Sequence, residues 1–236
     1  ADDFMSLIED TEVKAIFFLR GGWGCARLLP LLNFDTIKDN PKIIMGFSDV
    51  TTLLNAITWK TKMITFHGPS GNSSWNSYSV DYIKKLLVEK LVFTYENKPG
   101  DSEIWTYSKG KAYGDLMGGN LTVLTSLIGT DYLPQFDNKI LFLEDVGEEP
   151  YSVDRMLMQL KLHGVFDKVR GVILGNFRKC TAEEPDRSFT LEEVFDHYFS
   201  SINIPVFYGI LCGFFIFFMY FFSHRNIKVN LIFPSQ

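Results

Sequence analysis

Ser48 stands in Met45-Gly46-Phe47-Ser48-Asp49, between an apolar strand-like run, Ile43–Met45, and a helix-like run, Val50–Trp59. A sharp strand-to-helix turn can hold a serine Oγ clear of its own backbone and leave the following amides free at a helix N-terminus, as a nucleophile requires. Gly46 gives such a turn room, and Asp49 favours the first helical turn through the macrodipole. Val50 occupies the place of the second glycine in a G-x-S-x-G elbow, so the same residues also read as a plain N-cap at Ser48. A second segment, Arg20-Gly21-Gly22-Trp23-Gly24, follows the strand-like Lys14–Leu19. Its glycines let backbone amides approach a phosphate, or negative charge developing in half of an oxyanion hole. The spacing matches neither G-x-G-x-x-G nor a P-loop, and a tight turn with nothing bound fits as well. Third, Glu144-Asp145 closes the apolar run Lys139–Leu143. Carboxylates at the C-terminal edge of a parallel sheet point into the crevice where α/β proteins place ligands, and Glu144 there could orient a catalytic histidine. Glu148 and Glu149 read as a solvated acidic loop.

Four histidines are available to such a carboxylate. His67, in Phe66-His67-Gly68-Pro69, ends a strand and could lie near the site; His163 suits a helix C-terminus; His197 lies in an acid- and aromatic-rich helix and reads as structural; His224 stands in the tail. None has metal-ligand spacing with another His or Cys, so no metal is expected. Cys25, Cys180 and Cys212 are scattered and odd in number, which suits a reducing cytoplasm better than a disulfide framework. A formal net charge of −5 without a basic tract argues against nucleic acid as a partner.

The elements that must position these groups alternate between short apolar runs and helical patterns, which is α/β construction with parallel strands. Strands are predicted at Lys14–Leu19, Lys42–Met45, Met63–Phe66, Lys139–Leu143, Gly171–Leu174 and Pro205–Tyr208. Helices are predicted at Ala26–Leu32, Val50–Trp59, Val80–Glu89, Leu121–Ile128, Val153–Leu162 and Leu191–Phe199. Ser70–Ser79 is a loop by composition, and the periodicity weakens over Leu91–Tyr113, where a domain boundary is placed. No secretory signal opens the chain, and the absence of an initiating Met is expected of a sequence that begins inside a longer protein.

Taken in order, these segments resemble the LD-carboxypeptidase family, the S66 serine peptidases, which includes enzymes of murein recycling and the microcin C immunity peptidase. The matching stretches are Arg20-Gly21-Gly22-Trp23-Gly24 with Arg27-Leu28-Leu29-Pro30, Gly46-Phe47-Ser48-Asp49 and Phe66-His67-Gly68-Pro69. Gly118-Gly119-Asn120-Leu121 and Leu143-Glu144-Asp145 with Tyr151 and Asp154-Arg155 follow. The resemblance runs from about Asp2 to Gly213. It implies a partial Rossmann-like N-terminal nucleophile domain (residues 1–95) and a C-terminal α/β domain carrying the acid (105–213), with the active site between them and an atypical aromatic tail (214–236). It further implies a Ser–Glu–His triad with Ser48 as nucleophile and Glu144 as acid, and the backbone amides of Asp49 and Gly22 as the oxyanion hole. The reaction so implied is hydrolysis of an amide between an L-centre and a terminal D-amino acid, as in D-Ala release from a murein tetrapeptide, in the cytoplasm. No cofactor is needed, the partner is a small muropeptide, and a homodimer is implied.

One position departs from that pattern. The family's histidine follows a glycine just after the Ile-Pro-Val-x-Tyr-Gly strand, and here Ile204-Pro205-Val206-Phe207-Tyr208-Gly209 leads to Gly213-Phe214. A phenyl ring accepts no proton, and losing a triad member costs several powers of ten in rate. The run that follows, Phe214–Phe222, is almost wholly aromatic. A frameshift near Cys212 accounts for the abrupt change. A membrane segment over Ile204–Phe222 conflicts with the strand the resemblance places there, and replacement of the base by His224 is the third account. Two other functions stand beside the main one. The first is an inactive homologue that binds muropeptide; the second is an immunity-type peptidase cleaving a peptidyl-nucleotide, with Trp75 available to stack on the base.

Overall fold

The computed structural model describes residues 1–89, 105–209 and 229–230. They form two compact units: residues 1–89 with 129–135, and residues 105–128 with 136–209 and 229–230. Phe214 and His224 lie outside the described residues, as does most of the proposed span Ile204–Phe222.

In the first unit, short runs of apolar residues make three parallel strands, β1 (Ala15–Phe17), β2 (Ile43–Gly46) and β3 (Phe66–His67), in that spatial order. The register sets Met45 beside Phe66 and Gly46 beside His67, and the Gly68 amide donates to Gly46 O at 3.0 Å. Helix α1 (Asp2–Glu9) opens with Asp2 and Asp3, which suit its positive end, and buries Phe4 and Ile8 one turn apart. The predicted helix Ala26–Leu32 is instead two 3-10 turns, Cys25–Arg27 and Leu29–Leu31. Pro30 is the reason, since it lacks the N–H that a continuous α-helix would draw on. Helix α2 (Phe34–Asp39) starts where Asn33 Oδ1 accepts the Thr36 amide at 3.0 Å.

Helix α3 (Thr51–Thr61) is buried on every side from Thr51 to Thr58, although its sequence carries many hydroxyls. The hydroxyls of Thr58 and Thr61 stay inside because partners receive them: Thr61 Oγ1 donates to Ile57 O at 2.6 Å, and Thr58 shares a bond of 2.9 Å with Thr65, which follows the helix and donates to Leu54 O at 3.1 Å. Helix α4 (Ser77–Ile83) begins inside the predicted loop, because Asn76 Oδ1 caps the Ser79 amide at 2.9 Å, and it runs on into a π turn, Lys84–Val88. Met45, Phe66 and Leu86 form a core here, with Ile43, Ile64, Ile83 and Leu87 packed against it.

The second unit is a five-stranded sheet in the order β4 (Trp105–Ser108), β9 (Val206–Tyr208), β8 (Gly171–Arg178), β7 (Ile140–Val146), β6 (Leu116–Asn120). All pairs are parallel except β4 with β9. A further antiparallel pair joins β5 (Tyr113–Gly114) to β10 (Val229–Asn230). Because β6 to β9 lie side by side in chain order, right-handed crossovers put the connecting helices on one face. In agreement, α5 (Leu121–Thr125) packs on α6 (Pro150–Leu162), and α6 packs on α7 (Leu191–Phe199). A capping box fixes the start of α7: Thr190 Oγ1 accepts the Glu193 amide at 3.2 Å, and Glu193 Oε2 accepts the Thr190 amide at 2.7 Å. Its buried face joins Phe195 and Phe199 to Phe177 and Phe166 edge to face, with ring centroids 4.9 and 5.4 Å apart. Strands β4 and β6 had no counterpart in the sequence reading, and the described end of the proposed membrane segment, Val206–Tyr208, is a strand of this sheet.

Candidate functional site

Strand β2 ends at Gly46, Phe47 is fully extended, and Ser48 turns the chain with φ at 58° before a single 3-10 turn, Ser48–Val50, feeds α3. A side-chain-bearing residue in the left-handed region costs about 1–2 kcal/mol, and such strain gathers where a side chain must be aimed. The turn does not use Ser48 as a cap: α3 has Val50 in that place, and neither the 3-10 turn nor α3 shows a side-chain cap. Gly46 is required by contact, since a Cβ there would sit 2.7 Å from Val50 Cγ1. The glycine segment meets the same turn. A Cβ on Gly21 would lie 2.6 Å from Ser48 Cβ and 2.9 Å from Ser48 Oγ, so the bare backbone of that loop rests against the serine side chain. Gly22 and Gly24 follow with φ of 148° and 108°. The loop closes on Asp49, whose Oδ2 accepts the Cys25 amide at 2.8 Å. Burial and the Asp49 carboxylate together push the Cys25 thiol up to about 12. The structure thus brings Ser48, Asp49 and the Gly21–Gly24 loop into one cluster at the C-terminal end of the middle strand of a parallel sheet.

In the second unit, Glu144 lies in β7 opposite Asn120 of β6, at a register shift between Leu143 and Asp145 in the pairing with β8. Such a bulge re-aims side chains, and both carboxylates are buried. Asp145 is heavily bonded: Asn120 Nδ2 donates to Oδ1 at 2.9 Å, and the Thr122 amide and hydroxyl donate to Oδ2 at 2.9 and 2.8 Å. Burial pushes the Glu144 carboxyl up to about 8; the neighbouring Asp145 adds to the rise, and a hydrogen bond from Asn120 offsets part of it. Asn120, given no role from sequence, is the residue that bonds this acid, and it is itself tied to Asp145. The only sequence signal was an Asn before an apolar helical run, and Asn120 Oδ1 does cap the Val123 amide at 3.0 Å.

With its folded value above the ordinary 4.5, Glu144 holds its proton more tightly in the folded protein than in the unfolded chain. Its contribution to stability is therefore complete below about 4.5 and is lost as pH rises to about 8, by at most about 1.4 kcal/mol per pH unit. Melting temperatures of the unsubstituted chain and Glu144→Gln, compared from pH 4.5 to 8, should show the unsubstituted chain losing ground to the variant. A constant difference across that range would contradict the assignment.

The described histidines divide cleanly. His67 is buried at the end of β3, two strand positions from the serine turn, and burial pushes its imidazole down to about 4, so it stays neutral. His163 caps the end of α6 and lines a groove with Tyr151, Arg155 and Leu162. His197 on α7 sets its ring edge-on to Tyr198 at 5.0 Å.

Residues 1–68 match the family model described as the LD-carboxypeptidase N-terminal domain, and residues 113–215 match that of the C-terminal domain. A curated protein of Bacillus subtilis named "Probable murein peptide carboxypeptidase" is 36% identical over 215 residues, which cover 89% of this chain and 67% of that protein. The Escherichia coli Microcin C7 self-immunity protein is 33% identical over 244 residues, covering 90% and 70%. The solved muramoyltetrapeptide carboxypeptidase of Oxalobacter formigenes superposes with a TM-score of 0.81 at 25% identity, covering 99% of this chain and 78% of that one. The chain spans about two thirds of the length of the curated relatives it matches.

Proposed function

Since the chain belongs to the LD-carboxypeptidase family, we propose that it is a serine-type carboxypeptidase that hydrolyses the amide between an L-centre and a terminal D-amino acid. Its substrate on this reading is a murein tetrapeptide and its product D-Ala. Ser48 Oγ attacks the carbonyl carbon, and the amides of Asp49 and Gly22 hold the oxyanion. The Ser48 proton passes to water, collapse breaks the C–N bond and expels D-Ala as its amine takes a proton from water, and a second water then hydrolyses the acyl ester and returns the hydroxyl to Ser48. Glu144 stands as the acid that would orient a histidine base and stabilise its charged form, a task that suits a buried carboxyl needing a cation for its ionisation. The base position falls on Phe214, so turnover of the unsubstituted chain rests on the oxyanion site and substrate binding, and is slow. The observation that carries the reading is Ser48 at φ 58° with the glycine loop packed on its side chain.

A role in murein-peptide recycling in the cytoplasm goes with this substrate. Cys25 and Cys180 are free thiols, which suits a reducing compartment, and no helix among the described residues is long and apolar enough to cross a membrane. The test is stereochemical: L-Ala-γ-D-Glu-diaminopimelate-D-Ala should lose its last residue above the uncatalysed rate, while the isomer ending in L-Ala should not. Equal release from both, or background release from the D-isomer, contradicts the reading; binding without release would mark a muropeptide-binding homologue. A second reading, cleavage of a peptidyl-nucleotide amide, is favoured by Trp75. Its Nε1 donates to Ser70 O at 3.1 Å and its ring leans on Phe17 with centroids 6.1 Å apart, leaving a fixed, part-exposed aromatic face.

A further inference from the structure

The glycine loop has two residues in the left-handed region, Gly22 and Gly24, and three glycines in four positions, so its own backbone does little to fix it. Its N-terminal side is tied by ordinary backbone pairing: the Phe18 amide donates to Met45 O at 3.1 Å, and the amides of Gly71 and Asn72 donate to Phe18 O and Leu19 O, each at 2.9 Å. On the C-terminal side, the tie between the loop and the serine turn is made by a side chain, the Asp49 carboxylate on the Cys25 amide, across 24 residues of sequence. Asp49 is also the residue next to Ser48, so its backbone moves with the nucleophile while its side chain holds the opposing loop.

We propose that the Asp49 carboxylate is a positioning residue of the hydrolysis: by accepting the Cys25 amide it clamps the Gly21–Gly24 loop onto the nucleophile turn and thereby sets the spacing of the two oxyanion amides. This rests on the reading of Ser48 as nucleophile. An oxyanion site loses most of its value when a donor drifts by a fraction of an ångström, because donors must lie about 2.7–3.1 Å from the developing charge. A clamp acts on the transition state and little on substrate binding, so its loss lowers kcat and leaves KM in place. The unsubstituted chain is suitable for the test, since the catalysis that remains without a base depends on the oxyanion site.

Asp49→Ala and Asp49→Asn are compared with the unsubstituted chain in two readouts. Hydrogen–deuterium exchange at the Cys25 amide should quicken at least tenfold in Asp49→Ala and by a smaller factor in Asp49→Asn, which keeps a neutral acceptor oxygen. Release of D-Ala should show kcat lowered about tenfold or more in Asp49→Ala with KM within twofold, and largely rescued in Asp49→Asn. Unchanged exchange at Cys25 overturns the clamp whatever the activity. Quickened exchange with unchanged kcat overturns its catalytic role, as does a parallel change in kcat and KM. Should Asp49→Ala fail to fold, Asp49→Ser, whose hydroxyl is one bond too short to reach the Cys25 amide, takes its place with the same expectations: Cys25 exchange indistinguishable from the unsubstituted chain overturns the proposal, and quickened exchange with lowered kcat supports it. Failure of the Ser48 reading looks different: Cys25 exchange would still respond to Asp49, while the raised D-Ala release of Phe214→His would be indifferent to Ser48.

Discussion

Phe214→His is expected to raise the rate of D-Ala release from the murein tetrapeptide by about two to four powers of ten. The Glu144 carboxyl, buried beside Asp145, has its ionisation pushed up to about 8, and the group that most readily reverses such a shift is a cation brought against it. An imidazole that takes the Ser48 proton becomes that cation at the moment of attack, and its appearance and the ionisation of Glu144 then support each other. Phenylalanine can do neither part. The described residues offer no ready substitute: His67 is held neutral by burial and so weakly basic that it takes up a proton only near pH 4. The gain should be largest in kcat, because the proton moves in the transition state and not on binding. An unchanged rate in Phe214→His, with the variant folded as the unsubstituted chain is, would contradict the assignment of Glu144 as triad acid.

Gly118→Ala is expected to cost about 3 kcal/mol or more of stability, read as a fall of roughly 6–12 °C in melting temperature. A Cβ at this position would stand 1.9 Å from Phe142 O and 2.9 Å from Phe142 C, both backbone atoms of the neighbouring strand β7 that cannot swing aside. The φ of 135° adds strain to any side chain. Gly147→Ala is the control: it has φ of 81° but no atom within 4 Å of the added carbon, so its cost is the backbone term of about 1 kcal/mol. If the two variants melt together, close approach of β6 and β7 is not what the glycine serves. The position matters to the site as well, because β6 ends in Asn120, which holds Asp145 and lowers the Glu144 shift.

How legible the fold was in the sequence depended on what each segment could show. Strands β2, β7, β8 and β9 are runs of Ile, Leu, Val and Phe buried on both faces, and such runs stand out against their flanks. Strand β6 is Leu-Met-Gly-Gly-Asn, whose two glycines argue for a turn; only its pairing with β7 makes it a strand, a tertiary fact. The segment Ala26–Leu32 had the apolar content of a helix, but Pro30 splits it into two tight turns. The start of α4 lay in a Ser/Asn stretch that reads as loop until Asn76 is seen capping it.

The candidate site divides in the same way. Ser48 was visible because a strand, a glycine and a helix-like run surround it within a few residues, and Glu144 because it ends an apolar run. The bond from Cys25 to Asp49 and the network that joins Asn120, Thr122 and Asp145 span 23 to 25 residues each, and no local pattern encodes them. What positions the chemistry was therefore hidden, although the groups proposed to perform it were not.

The most direct test of the central claim, that Ser48 is the nucleophile of a carboxypeptidase site, is D-Ala release by Phe214→His measured with and without Ser48→Ala in the same chain. The account predicts that Ser48→Ala returns the rate to the level of the unsubstituted protein, because nucleophile and base act as a unit and neither contributes without the other. Release that survives the loss of Ser48 at the raised rate would contradict it.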